Sequence, residues 1–210
     1  MPIIDRTRVL NAMGPNSWDL SNKLLYDLCI THPTHVETDA VLAKILLIGR
    51  VYAAAIERRK IKKGKAESDN FYINEVAPKL LDSEIDIWIA EAKAVQPGTT
   101  SALATLVKVH GLTTALFSQI SGMQKRSLAS KYLHFHVPKL FYIYDSRAAK
   151  AIREFSSVLP RASRSSGVGD NEYRKFADKC DHLRMWCEKE FSLQLFPRQV
   201  DNLLLRFNEK

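Results

Sequence analysis

Residues 120–152 read ISGMQKRSLASKYLHFHVPKLFYIYDSRAAKAI, and the way this stretch divides decides the fold. Gly122 interrupts one helical pattern, and a short amphipathic one follows from about Arg126 to His136. Pro138 stops it, because the residue before a proline is pushed out of the helical region. An apolar run then leads to Asp145, a residue type that caps helices, and a new helical pattern opens. Between positions 122 and 166, nine Lys or Arg are set against Asp145 and Glu154 alone, a net +7 in a chain whose total is +8. A lone carboxylate amid that much positive charge is the pattern of a site that grips a polyanion and acts on it.

Outward from this stretch, helical periodicity dominates and strand alternation is scarce, so the expected class is all-α. Ser17 is the expected cap of a helix to about Ile30, ended by His32-Pro33. Thr38 is the expected cap of a long helix over 39–63, basic at its C-terminal end, where cations suit the helix dipole. Shorter helices are expected over 70–81 and 84–95, the second capped by Ser83, and an apolar, central one over 100–120. Asp145 opens a helix to about Ser157, and two more cover 171–191 and 198–207. The stretch 159–169, rich in Ser, Arg and Gly, reads as a mobile basic loop.

The remaining composition narrows the classes. A chain of 210 residues, 46% of them apolar, buries about 70% of its unfolded surface. One helical domain over 1–210, or two closely packed lobes, is therefore expected, with the hairpin and catalytic segment at 120–152. No run of 18 apolar residues is present and the first residues lack a secretory pattern, so a cytoplasmic protein without a membrane span is expected. Three cysteines fit a reducing compartment better than a disulfide framework. No cofactor or metal is expected: His134 and His136 diverge on a helix, and Cys180, His182 and Cys187 have poor zinc spacing. Arg58 to Lys65 hold a second basic cluster, either a DNA contact or a solvated helix end. Trp88, Trp186, Tyr52 and Tyr72 are candidates to stack on a base, and core packing is the plainer reading of each.

Two groups carry candidate chemistry. Ser127, Lys131 and His134 fall on one stripe of the 126–136 helix with Ser130 beside them, offering hydroxyl and ammonium donors. The alternative is a solvated face. Asp145 either caps its helix by accepting the N–H groups of residues 147 or 148, or is a desolvated carboxylate that stabilises positive charge.

The phrases ISGMQKR and FYIYDSRA together resemble the helix-hairpin-helix DNA glycosylases, including the 8-oxoguanine and adenine-mismatch enzymes. In that superfamily a turn of the type L-P-G-V-G-x-K/S enters a helix, and an apolar segment ends in a catalytic aspartate. Ile120 takes the leading apolar position, Gly122 the first glycine, and Asp145 the aspartate. Gln124 replaces the second glycine, and Arg126 stands where bifunctional members carry lysine; a guanidinium stays protonated and forms no Schiff base. The resemblance implies a two-lobed helical fold and excision of a damaged or modified base from duplex DNA. The amides of 122–124, with Lys125 and Arg126, would clamp a phosphate, and Ser127, Ser130, His134 and Arg147 would line the DNA surface. Asp145 would assist N-glycosidic cleavage of a flipped base held in a cleft shared with Lys131. Lys131, with Lys125 second, is the candidate for lyase chemistry. Two rivals stand beside this expectation: a DNA-binding module of the same fold without bond cleavage, and a helical adaptor whose basic patches meet an acidic protein.

Overall fold

The computed structural model describes residues 4–58, 69–155, 159 and 169–207. All regular structure among them is helical, as the sequence predicts: α1 (Arg6–Met13), α2 (Asp19–Thr31), α3 (Thr38–Val51) and α4 (Asp69–Phe71). A π-helical turn (Tyr72–Val76) leads into α5 (Ala77–Leu81), followed by α6 (Ile85–Ala94), α7 (Thr100–Ser121) and α8 (Arg126–His136). The order closes with α9 (Ser146–Glu154), α10 (Asn171–Phe191) and α11 (Pro197–Phe207).

Helix α8 is the element on which the others assemble. Every residue from Leu128 to His136 is buried, and α2, α3 and α7 all pack against it. Its apolar positions Leu128, Ala129, Tyr132, Leu133 and Phe135 join the core that α7 feeds with Leu106, Val109, Leu116 and Phe117. Burial of this kind is the main favourable contribution to folding, on the order of 2 kcal/mol for each large apolar side chain. Helices α7 and α8 form a hairpin: Gly122 sits at φ 74 and donates its N–H to Ser118 O at 2.7 Å. That left-handed conformation is open to glycine at little cost and lets the chain reverse within four residues.

Polar groups trapped around α8 are paired. His35 donates from Nδ1 to Asp86 at 2.6 Å and accepts from the Tyr132 hydroxyl at 2.7 Å. This chain links α6, the segment before α3, and α8. Lys44, fully buried in α3, holds the same segment by donating to His32 O and Thr34 O at 3.0 and 2.8 Å. Tyr26 of α2 donates to His134 Nε2 at 2.6 Å, while His134 Nδ1 donates to Phe141 O at 2.8 Å.

Several local expectations change. Helix α1 was not anticipated; Asp5 caps it, accepting from Arg8 N at 2.8 Å, and Asn202 of α11 holds it by donating to Ala12 O at 3.1 Å. Ser17 is not the cap of α2, because that helix starts at Asp19 with no side-chain cap. Thr38 is the first helical residue of α3 rather than its cap. Helix α3 also ends at Val51, twelve residues before the expected end, because the chain turns through Ala53 at φ 51. The basic stretch 59–65 and the loop over 160–168 lie outside the described residues, as does the expected end of the Asp145 helix at Ser157.

The imidazoles fix a pH dependence. Burial pushes His35, His110 and His134 down to about 4 and His136 well below 6.5. The unfolded chain therefore binds more protons than the fold between about 6.5 and about 4, so stability falls as pH drops through that window. Asp201, pushed up to about 6, acts in the opposite sense but is one group against four. Urea denaturation midpoints are expected to decline from pH 7 to pH 4.5; a rise on acidification would contradict this account.

Candidate functional site

Asp145 stands where the apolar run 140–144 gives way to α9. Its Oδ1 accepts from the amides of Arg147 and Ala148 at 3.0 and 2.9 Å, so the capping role read from the sequence is real. Oδ2 faces Lys131 Nζ at 3.5 Å, and about a quarter of the side chain (27%) stays open. The carboxylate is thus neither sealed nor fully solvated.

Lys131 reaches it from below. The residue is 3% exposed, and its ammonium donates to Ser127 Oγ at 3.0 Å and lies 3.4 Å from Tyr52 O. Its charge also rests over the Tyr52 ring, 5.7 Å from the centroid. Burial lowers the Lys131 pKa, opposed by the charges of Asp145 and Asp201. Asp201 of α11 is the neighbour that sequence reasoning missed. It is buried, accepts from Arg198 at 2.6 Å through Oδ2, and its Oδ1 has no partner among the described residues. Burial, with Asp145 adding to it, pushes this carboxyl up to about 6 against the lowering effect of Arg198. The signal for it was present in VDNLLL, where a carboxylate interrupts an apolar helical face.

The other expected residues divide. Ser127 belongs to this group through Lys131. Ser130 and His134 do not face outward: Ser130 Oγ accepts from Tyr144 N at 2.9 Å, and both side chains are fully buried. The stripe read as a solvated or DNA-facing surface is therefore an internal one, covered by α2, the end of α3 and the 140–144 run. Lys125 is also turned inward, donating to Arg58 O at 2.5 Å. Arg126 pairs with Asp170 at 2.5 Å and Glu172 at 3.0 Å, at the start of α10. Of the hairpin amides, Gly122 N bonds Ser118 O and Met123 N bonds Ser121 Oγ at 3.3 Å. Gln124 and Arg147 are exposed.

Two sizeable cavities are lined by described residues. One, of about 680 Å³, lies between α7 and the start of α10 and includes Gln124 and Arg126. The other, of about 760 Å³, lies among α2, α8 and α11. Asp145 and Lys131 line neither, so the two groups meet each other but not in the base-sized cleft that the sequence led us to expect. Among the described residues no cluster of His, Cys, Asp and Glu is arranged to hold a metal ion. The buried thiols of Cys29 and Cys187 are pushed up to about 12 by burial, which makes them poor nucleophiles. No helix among the described residues is long and apolar enough to cross a membrane. Comparison with family models, curated proteins and solved structures finds no match to this chain.

The two roles of Asp145 separate by substitution. Asp145→Ala removes the cap and is expected to cost about 1 kcal/mol or more, whereas Asp145→Asn keeps a capping oxygen and costs less. Urea denaturation of both variants measures the difference. Equal losses would place the stabilisation in the ion pair with Lys131 instead of the cap.

Proposed function

We propose that the protein binds duplex DNA and cleaves the N-glycosidic bond of a damaged or modified base, with Asp145 as the reacting carboxylate. The observation that carries this reading is the meeting of Asp145 and Lys131, from two elements, at 3.5 Å. A partly open carboxylate beside a sunken ammonium of lowered pKa has the parts such a reaction needs. The carboxylate stabilises the oxocarbenium-like sugar or orients water; attack by a deprotonated Lys131 on the sugar carbon, with the base leaving, requires the buried amine to be uncovered first. The resemblance of residues 120–152 to the helix-hairpin-helix glycosylases supports the same assignment.

Contact with phosphate moves away from the hairpin in this reading, because Lys125 and Arg126 already serve internal carbonyl and carboxylate partners. Helix α9 takes that part. Arg147, Lys150 and Arg153 are exposed along it, immediately after Asp145. A second reading, DNA binding without cleavage, draws on one observation: Asp145 already accepts two amides and the Lys131 ammonium, and it lines neither cavity.

Duplexes carrying 8-oxoguanine, uracil, alkylated or hypermodified bases separate the readings. Excision is expected to yield abasic sites and to fall at least about 100-fold in Asp145→Asn. Borohydride trapping, if a lysine attacks, is expected to survive Lys125→Ala and to vanish in Lys131→Ala. Tight binding with no base released from any duplex contradicts the catalytic reading and leaves the binding module. The salt dependence of binding is expected to lose about one unit of slope for each of Lys150→Ala and Arg153→Ala. Slopes equal to that of the parent protein would remove α9 from the DNA surface.

A further inference from the structure

The cavity of about 760 Å³ is unrelated to Asp145 and has a consistent chemistry of its own. Its walls are Ile30, Pro33, Phe135, Pro138 and Phe196, with the Tyr26 ring beside them. Rings and prolines offer flat apolar faces, which suit a flat guest. Ile30 and Phe196 are 72% and 53% exposed, so the cavity presents bare apolar surface at its mouth. The volume falls within the range of about 300–1,000 Å³ that small-molecule sites occupy.

Its polar groups are unequal in sign. Lys93 and Lys139 are exposed on its wall and have no ion-pair or hydrogen-bond partner among the described residues. Arg198, also on the wall, is neutralised by Asp201 at 2.6 Å. Asp19, a carboxylate on the same wall, accepts from Asn16 N at 2.8 Å and keeps its charge. Two unpaired ammonium groups against one carboxylate therefore leave the apolar hollow net positive. His136 also borders the cavity and is 94% buried, and neither ring nitrogen has a hydrogen-bond partner among the described residues. Both nitrogens lie beneath the wall with almost no accessible surface, so the ring offers a guest no hydrogen bond.

We propose that this cavity binds a small aromatic monoanion, its ring between Phe135 and the prolines and its anionic group toward Lys93 and Lys139. Burial holds His136 neutral, so it adds no third cation to the wall. The Cys29 thiol on the same wall is held protonated by burial, which leaves a site for reversible binding. The site is separate from the Asp145–Lys131 pair, and its existence does not depend on the DNA chemistry proposed above.

Two fluorescent probes test it on the full chain: 1-anilinonaphthalene-8-sulfonate and its uncharged counterpart N-phenyl-1-naphthylamine. The sulfonate is expected to bind saturably at one site per chain and more tightly than the neutral probe. Lys93→Ala with Lys139→Ala, both at exposed positions, is expected to keep the thermal transition, weaken the sulfonate about tenfold and leave the neutral probe unchanged. Ile30→Trp, which fills the mouth, is expected to weaken both probes while the thermal transition is retained. Equal binding of the two probes overturns the anionic assignment. Non-saturable binding, or binding indifferent to Ile30→Trp, overturns the site and leaves adventitious adsorption only.

Discussion

A helix buried on every side has no solvent to satisfy its polar side chains, and α8 carries Ser130, Lys131, His134 and His136 in that position. An unpaired polar group in such a place costs about 1–3 kcal/mol, and an unpaired charge more. Three of the four are answered by named partners: Ser130 by the Tyr144 amide, His134 by Tyr26 and Phe141 O, Lys131 by Ser127, Tyr52 O and Asp145. These bonds fix where α2, the end of α3 and the 140–144 run lie against α8. His136 is the exception, and it borders the larger cavity.

The consequence for function runs through Lys131. A buried ammonium needs an opposite charge within reach, and Asp145 supplies it while also capping α9. One carboxylate thus serves the helix start, the buried charge and the proposed chemistry. Asp201 lies behind the pair and holds Arg198, whose guanidinium sits 5.8 Å from the centre of the same Tyr52 ring that Lys131 approaches. Two cations on one aromatic ring, with two carboxylates nearby, make a charge cluster in which the neighbouring charges act on the titration of Lys131 and Asp201.

Much of the fold was legible in the sequence. The periodic runs behind α7, α8, α10 and α11 are within about one residue of the observed helices, because long apolar patterns are local signals; the caps Thr99 and Asp170 were not read. Capping was one of the two readings open for Asp145, and its two amide contacts bear that one out. What failed was non-local. Ala53 turns the chain in a left-handed conformation for which no glycine or asparagine prepares the reader, so α3 was extended too far. Periodicity placed Ser127, Lys131 and His134 on one stripe, yet it cannot say what covers that stripe, and Tyr26, Tyr52 and Phe141 cover it. Arg126 looked free for phosphate because Asp170 and Glu172, 44 and 46 positions away, meet it only in the folded chain. Asp201 interrupts the apolar face of VDNLLL, but a single carboxylate there does not say which charges it meets, and Arg198 and Lys131 meet it only in the folded chain.

The most direct measurement is the titration of the Lys131 ammonium itself. Lysine labelled with carbon-13 reports each side chain by NMR, and Lys131→Arg assigns the signal. Burial beside Asp145 predicts a midpoint below the ordinary value of 10.5, and a further fall in Asp145→Asn, where the carboxylate charge no longer holds the proton. A midpoint at or above 10.5, unmoved by Asp145→Asn, would mean that the ammonium is solvated and apart from the carboxylate, and the account would fail.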